Sequence, residues 1–200
     1  FDFKYQWSNN HLGFIFNPFT QYISDFISIN PTDSTISAYK VYNYIQYDKV
    51  KIQGVEMNMH YHPHRLHNLH FEQSYSFLQT ENKNDKYGLA LVPANSIKTK
   101  ILFDFNTLSK LWKYKFDYLS LYHIYKFKQE IYAEHEELTD SYNVISLQLA
   151  LNLNAKLDCT LGVDNLLNEE YTPHISRLRG VAGGIPSPGR SYNINLKYEF

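Results

Sequence analysis

Side chains alternate strictly between apolar and polar along the last stretch of the chain, which limits what the chain can fold into. The apolar set is Tyr192, Ile194, Leu196, Tyr198 and Phe200, and the polar set is Ser191, Asn193, Asn195, Lys197 and Glu199. Because neighbouring side chains of a β-strand point to opposite faces, these sets predict a strand with one apolar and one polar face. A soluble sandwich would pack the apolar face on its core, whereas a membrane barrel would turn it toward lipid.

The same period-two pattern recurs along the whole chain and predicts an all-β protein. Residues 145–153 and 157–163 are its clearest pair. In total the pattern indicates about nine strands and no convincing helix. Residues 30–35 are polar and predict a loop, and Gly54 separates two runs of opposite phase, which predicts a bulge at that glycine.

The lengths of the connections favour the barrel over the sandwich. Short and long polar connections alternate along the chain, as expected for an antiparallel up-and-down transmembrane β-barrel with short turns on one side and long loops on the other. Aromatic residues make up 16% of the chain, led by 18 Tyr, and such rings suit a polar–apolar boundary. Trp7 and Trp112 lie beside short turns, so we expect them in an interfacial aromatic girdle, with Phe200 at the same level.

Several other classes of protein receive no support from the composition. A net charge of −1 gives no electrostatic reason to expect nucleic acid as a partner. No run of about 18 apolar residues exists that could form a transmembrane helix. Cys159 is the single cysteine, which excludes a disulfide framework and a cysteine-based metal site. The chain already alternates from Phe1, so we expect it to begin inside a sheet, either as a mature product or as a piece of something longer.

Several motifs, in order, resemble one family. GVDNLLNEEY at residues 162–171, PGR at 188–190 and the final alternating strand resemble the C-terminus of TonB-dependent outer-membrane receptors. GVE at 54–56 resembles another recurrent stretch of their barrels, and HPHRL at 62–66 and VPAN at 92–95 resemble Bacteroidetes-type members. The resemblance covers nearly the whole chain.

The resemblance implies what the chain is part of. Family members have barrels of about 22 strands that enclose a plug. The resemblance therefore implies that residues 1–200 are the C-terminal portion of such a barrel, with the plug domain absent from this chain. It implies an outer-membrane receptor of a Gram-negative bacterium that imports a scarce nutrient, such as an iron–siderophore or related metal chelate. It also implies the TonB complex as a partner, acting through the plug, and no enzymatic step and no cofactor. Two alternatives stay open: a non-transporting barrel scaffold in a larger complex, and a small self-contained barrel enzyme.

The longest connection contains the candidate ligand-binding residues. If it lies outside the cell, His174, Arg177, Arg179 and Arg190 could meet an anionic chelate, because the guanidinium fork suits carboxylates and phosphates. These arginines could instead pair with neighbouring carboxylates or with lipopolysaccharide. The acidic loop at 130–140 is expected to be solvated.

Two further sets of residues are candidates for a function: a group of histidines and the aromatic residues of the last strand. Five histidines fall within residues 60–70, a density that suits zinc or copper, but the resemblance makes this stretch a structural turn, so no metal site is predicted. Tyr192, Tyr198 and Phe200 match the signal that the barrel-assembly machinery recognises in such proteins, by strand addition at an exposed edge. No spacing of Ser, His and Asp singles out a catalytic set.

Overall fold

The chain forms one antiparallel sheet in which the strands follow each other in sequence order. The computed structural model describes residues 1–82, 87–105, 115–181 and 184–200. The strands are β1 (Tyr5–Ser8), β2 (Leu12–Ile36), β3 (Tyr39–Tyr61), β4 (Leu69–Asn82), β5 (Ser96–Asp104), β6 (Lys115–Lys126), β7 (Tyr142–Asn154), β8 (Leu157–Asp164) and β9 (Ser191–Tyr198). One turn of 3₁₀ helix covers Arg177–Gly180. The expected all-β meander of about nine strands is confirmed.

Period-two alternation sets the pairing of the strands. In the β7–β8 pair, Leu149 lies opposite Leu161 and Leu151 lies opposite Cys159, while Ala150 faces Thr160 on the other side of the sheet. Apolar residues therefore share one face across neighbouring strands, which stabilises the sheet through cross-strand packing. Cys159 is buried there as a free thiol.

The distribution of exposed apolar side chains decides between the two all-β architectures. On β9, Ile194 is 70% exposed and Leu196 is 67% exposed. The buried hydrophobic residues in the described part of the chain are Tyr47, Val50, Leu89, Val92, Ala133, Ala150 and Cys159. A sandwich would bury its apolar face against a second sheet, whereas a membrane barrel presents that face to lipid. No helix among the described residues is long and apolar enough to cross a membrane.

The connections divide between two ends of the sheet. Residues 9–11, 62–68 and 155–156 connect strands at one end, which we call the short-turn end. Residues 127–141 and 165–190 connect strands at the opposite end, the loop end. Trp7 lies one residue before β1 ends, at the short-turn end, and is 43% exposed. Trp112 lies outside the described residues.

The predicted loop at residues 30–35 is wrong. This stretch belongs to β2, which turns into β3 through Ser37 and Ala38, with φ of 50° and 69°. Two successive positive φ angles are typical of the tight turn that suits hairpin twist. β2 and β3 contain 25 and 23 residues, well above the roughly 9–11 residues that cross a bilayer. The polar residues therefore lie where the hairpin extends into water.

The predicted bulge at Gly54 is also wrong. Gly54 pairs in regular register with Phe19 on one side and Leu78 on the other. A Cβ at this position would lie 2.5 Å from the carbonyl oxygen of Phe77, so the glycine permits a close approach. The change of phase reflects packing instead, because Val50 is buried against Leu89 in the cluster formed with the β4–β5 connection.

Both edge strands have one free side. β1 pairs with β2 and β9 pairs with β8, and the described residues contain no pairing of β1 with β9. The described residues therefore form an open sheet. In a barrel closed by this chain alone, β1 would pair with β9.

Candidate functional site

Connections at the loop end pack into one unit, which we call the loop cluster (residues 87–95, 127–141 and 165–181, with the β2–β3 tip). The Gln129 side-chain amide donates to the carbonyl oxygen of Val92 at 2.8 Å. Val181 forms an isolated bridge with Tyr39 at the start of β3. The connections therefore support one another rather than extending separately into solvent.

Glu136 lies at the centre of the loop cluster. One carboxylate oxygen, Oε1, accepts a hydrogen bond from the backbone N–H of Leu91 at 3.0 Å, and Oε2 accepts one from Ala133 at 3.0 Å. The Glu136 side chain is 3% exposed. Leu91 has a φ of 56°, a left-handed conformation that is unusual for a bulky side chain. Its N–H bond to Glu136 helps to hold that conformation.

His174 and Arg179 complete the surroundings of the Glu136 carboxylate. His174 Nε2 and Arg179 Nη2 each lie 3.3 Å from Oε1. Thr139 Oγ1 lies 2.7 Å from His174 Nδ1 and accepts a hydrogen bond from Arg179. Burial raises the pKa of the Glu136 carboxyl, but hydrogen bonds from His174, Ala133 and Leu91 outweigh that effect and lower the pKa below its ordinary value.

The structure divides the four predicted ligand contacts into two pairs. The His174 side chain is 0% exposed and that of Arg179 is 14% exposed, because both are engaged with Glu136. The cleft beside Arg179 has a volume of only about 20 Å³. Arg177 and Arg190 are exposed on the same long connection. Asn168 Oδ1 accepts the backbone N–H of Arg190 at 2.9 Å and so positions it at the start of β9.

Sequence reasoning did not identify Glu136 and Thr139. The sequence places Glu136 in the acidic loop at 130–140, where solvated side chains are expected, yet Glu136 is buried. No signal in the sequence separates it from the exposed Glu137 beside it. Irregular loops have no hydrophobic period from which burial can be read.

Three of the five clustered histidines meet at the short-turn end, far along β3 from the loop cluster. The ring centroids of His60 and His62 are 4.2 Å apart, and those of His62 and His70 are 4.1 Å apart. Partial burial lowers the pKa of His62, and repulsion from His60 and His70 lowers it further. His64 instead contacts His11, with ring centroids 3.3 Å apart.

Two residues of the predicted assembly signal, Tyr192 and Tyr198, lie on the edge strand β9, and Phe200 comes two residues after its end. Tyr192 and Tyr198 are 73% and 53% exposed on one face of the chain's last strand, and the Tyr198 and Phe200 ring centroids are 5.2 Å apart. Exposure on an unpaired edge is what recognition by strand addition needs.

Solved structures described as metal transporters or as a siderophore receptor share this fold. The "Copper transporter OprC" superposes with a TM-score of 0.81 at 17% identity, over 100% of this chain and 30% of that one. The siderophore receptor PirA from Acinetobacter baumannii gives 0.68 at 15% identity, over 100% of this chain and 31% of that one. The FrpB iron transporter from Neisseria meningitidis (F3-3 variant) superposes with a TM-score of 0.70 at 16% identity, over 98% of this chain and 30% of that one. This chain thus spans under a third of their lengths. No curated protein shows significant sequence similarity to it.

Sequence similarity identifies the family, which structures at such low identity do not. The family model described as "TonB dependent receptor-like, beta-barrel" matches residues 1–166. The match covers most of the sheet, from β1 through β8, and agrees with the open meander and its exposed apolar face. The chain belongs to the TonB-dependent receptor β-barrel family.

Proposed function

We propose that this chain is the C-terminal part of the barrel of an outer-membrane receptor in a Gram-negative bacterium. The receptor imports a scarce nutrient, an iron–siderophore or a related metal chelate, and no reaction occurs on the substrate. The energy comes from the inner-membrane TonB complex, acting through a plug domain outside this chain. Family membership supports the proposal, together with neighbours that are described as copper and iron transporters and a siderophore receptor.

The observation that supports the proposal most is that the longest connection has buried residues that hold it and exposed arginines that remain free of those contacts. Glu136 ties His174 and Arg179 together, so these residues hold the longest connection in place. The exposed Arg177 and Arg190 then present their guanidinium groups to the outside. A ferric chelate with carboxylate or catecholate oxygens is anionic, and two arginines in a held loop attract it with favourable geometry.

The exposed residues of the sheet and its loops suit three further partners. Outside the cell, the same arginines also suit the phosphates of lipopolysaccharide. At assembly, Tyr192 and Tyr198 on β9 and Phe200 just after it are the residues that the barrel-assembly machinery would recognise. The aromatic girdle formed by Trp7 and Trp112 would contact the lipid interface.

Uptake of iron chelates by intact cells tests the proposed function. Cells with the complete gene should accumulate radiolabelled iron from at least one chelate, and cells without the gene should not. Replacing either Arg177 or Arg190 alone by Gln should weaken chelate binding about tenfold to a hundredfold, because a hydrogen bond to a charged group contributes roughly 1.5–3 kcal/mol.

Lys197→Gln is a matched control, because it removes an exposed positive charge from β9 rather than from the connection that carries Arg177 and Arg190. Unchanged accumulation of every chelate after deletion of the gene would contradict transport and favour the non-transporting scaffold.

A further inference from the structure

The histidine trio (His60, His62 and His70) lies at the short-turn end, on the polar face of the sheet. His60 shares its face of β3 with Glu56 and Asn58, whereas Met57 and Met59 occupy the opposite face. In a membrane barrel the polar face lines the wet lumen. The trio therefore lies at the mouth of the lumen, at the end opposite the loop cluster.

The sheet already holds the three backbones in place. His60 pairs with Glu72 and with Gly13, so it is fixed by both neighbouring strands. The N–H of His62 donates to the carbonyl oxygen of His11 at 2.7 Å. His70 pairs with Leu102 on β5. Only side-chain rotation remains, and ligands on rigid elements bind a metal with less loss of conformational entropy.

The imidazole nitrogens of the trio are close to the spacing of a metal site. One ring nitrogen from each histidine can be chosen so that all three lie within 4.8 Å of one another. Nitrogens bound at the usual Zn–N length in a tetrahedron are about 3.3 Å apart. Small rotations about the side-chain bonds close this difference.

The nitrogens are also available to an ion. His60 is exposed, and His62 and His70 are partly exposed. Within the described residues, no hydrogen bond occupies a ring nitrogen of the trio. Glu72 pairs with His60 across the strands, and its carboxylate lies 3.5 Å from Lys100 Nζ rather than occupying a ring nitrogen.

We propose that His60, His62 and His70 bind one divalent metal ion that prefers imidazole, such as Zn²⁺, Cu²⁺ or Ni²⁺. Three protein nitrogens leave the remaining coordination positions to water, as in open three-histidine sites. The ion would join β3 to β4 across the turn at 62–68. This site is separate from the chelate-binding loops and concerns the bare ion.

Metal binding to the complete receptor, purified from outer membranes without a histidine tag, tests the proposal. Isothermal titration with Zn²⁺ should show one ion per receptor that is lost when all three residues become alanine. Electron paramagnetic resonance of the Cu²⁺-loaded wild-type receptor should show coupling to several imidazole nitrogens, a result that does not depend on whether any variant folds.

His67→Ala is the matched control, since His67 lies in the same turn but outside the trio. Binding that survives in the triple variant, or a copper spectrum without imidazole nitrogens, would overturn the proposal. Equal loss of binding in the His67 variant would also overturn it. Because the readout is metal binding and not uptake, a negative result leaves the proposed transport function standing.

Discussion

At the scale of single residues, Glu136 is the side chain on which the loop cluster depends most. A buried carboxylate is costly unless its oxygens have donors. Glu136 accepts hydrogen bonds from Leu91, Ala133 and Arg179, and His174 Nε2 lies 3.3 Å from it. Removing the charge leaves these donors without a full partner. The effect should be local, since the sheet itself does not use Glu136.

Glu136→Gln should therefore loosen the loop cluster at neutral pH. An amide nitrogen would face one of the backbone N–H donors, and leaving that donor unsatisfied costs about 1–3 kcal/mol. Hydrogen exchange at the Leu91 and Ala133 amides should accelerate accordingly, after correction for intrinsic rates.

Because the pKa of Glu136 is lowered, its stabilisation is present above the ordinary carboxyl pKa of about 4.3 and is lost as the pH falls through the folded-state pKa. In the wild-type protein, protection of the two amides should decrease at such low pH, whereas this step should be absent from the Gln variant.

Glu137→Gln provides the comparison, since Glu137 is exposed beside Glu136. Equal acceleration in both variants would show that loop charge in general, and not the buried carboxylate, holds the cluster.

At the scale of elements, β9 differs from the inner strands because one of its edges is free. β8 supplies its single partner, with Leu157 opposite Tyr198 and Leu161 opposite Ile194. Unpaired N–H and C=O groups on the other edge can template a further strand. The exposed aromatic face gives that edge a recognisable pattern of alternate side chains.

Replacing Tyr198 and Phe200 by Ser in the complete gene product should reduce assembly into the outer membrane several-fold. The physical reason would be the loss of two aromatic anchors from the C-terminal segment that we propose the assembly machinery recognises. The measurement is the fraction of heat-modifiable, folded receptor in isolated outer membranes.

Tyr198→Phe keeps the ring and should assemble normally. Full assembly of the double Ser variant would show that backbone pairing alone, without these side chains, is sufficient.

At the scale of the whole molecule, the sheet has two edges whose backbone groups have no partner strand within the part of the chain that the structure describes. β1 and β9 do not pair with each other in the described residues. In the hydrocarbon core each unpaired backbone group costs several kcal/mol, so an open edge there is not stable. Further strands must cover both edges in the membrane.

The intact mass of the polypeptide extracted from its native outer membrane should be roughly three times 23.6 kDa, because this chain covers 30% of the length of the copper transporter it resembles. A mass near 23.6 kDa would instead mean that a second chain supplies the missing strands.

Local patterns in the sequence were sufficient to predict the all-β class, about nine strands and the family. Alternation along β7, β8 and β9 is a local property of the chain, because side-chain direction in a strand depends only on the parity of the position. Motifs such as GVDNLLNEEY are equally local and led to the same family as the model match.

Which residues contact one another became evident from the tertiary structure alone. Polar composition suggested a loop at 30–35, although a strand that extends into water is polar too. The phase change near Gly54 suggested a bulge, although its cause is the burial of Val50 by a connection roughly forty residues later in the chain. Glu136, His174 and the histidine trio owe their surroundings to contacts between distant segments. Those contacts depend on how the strands are placed side by side, which no local pattern contains.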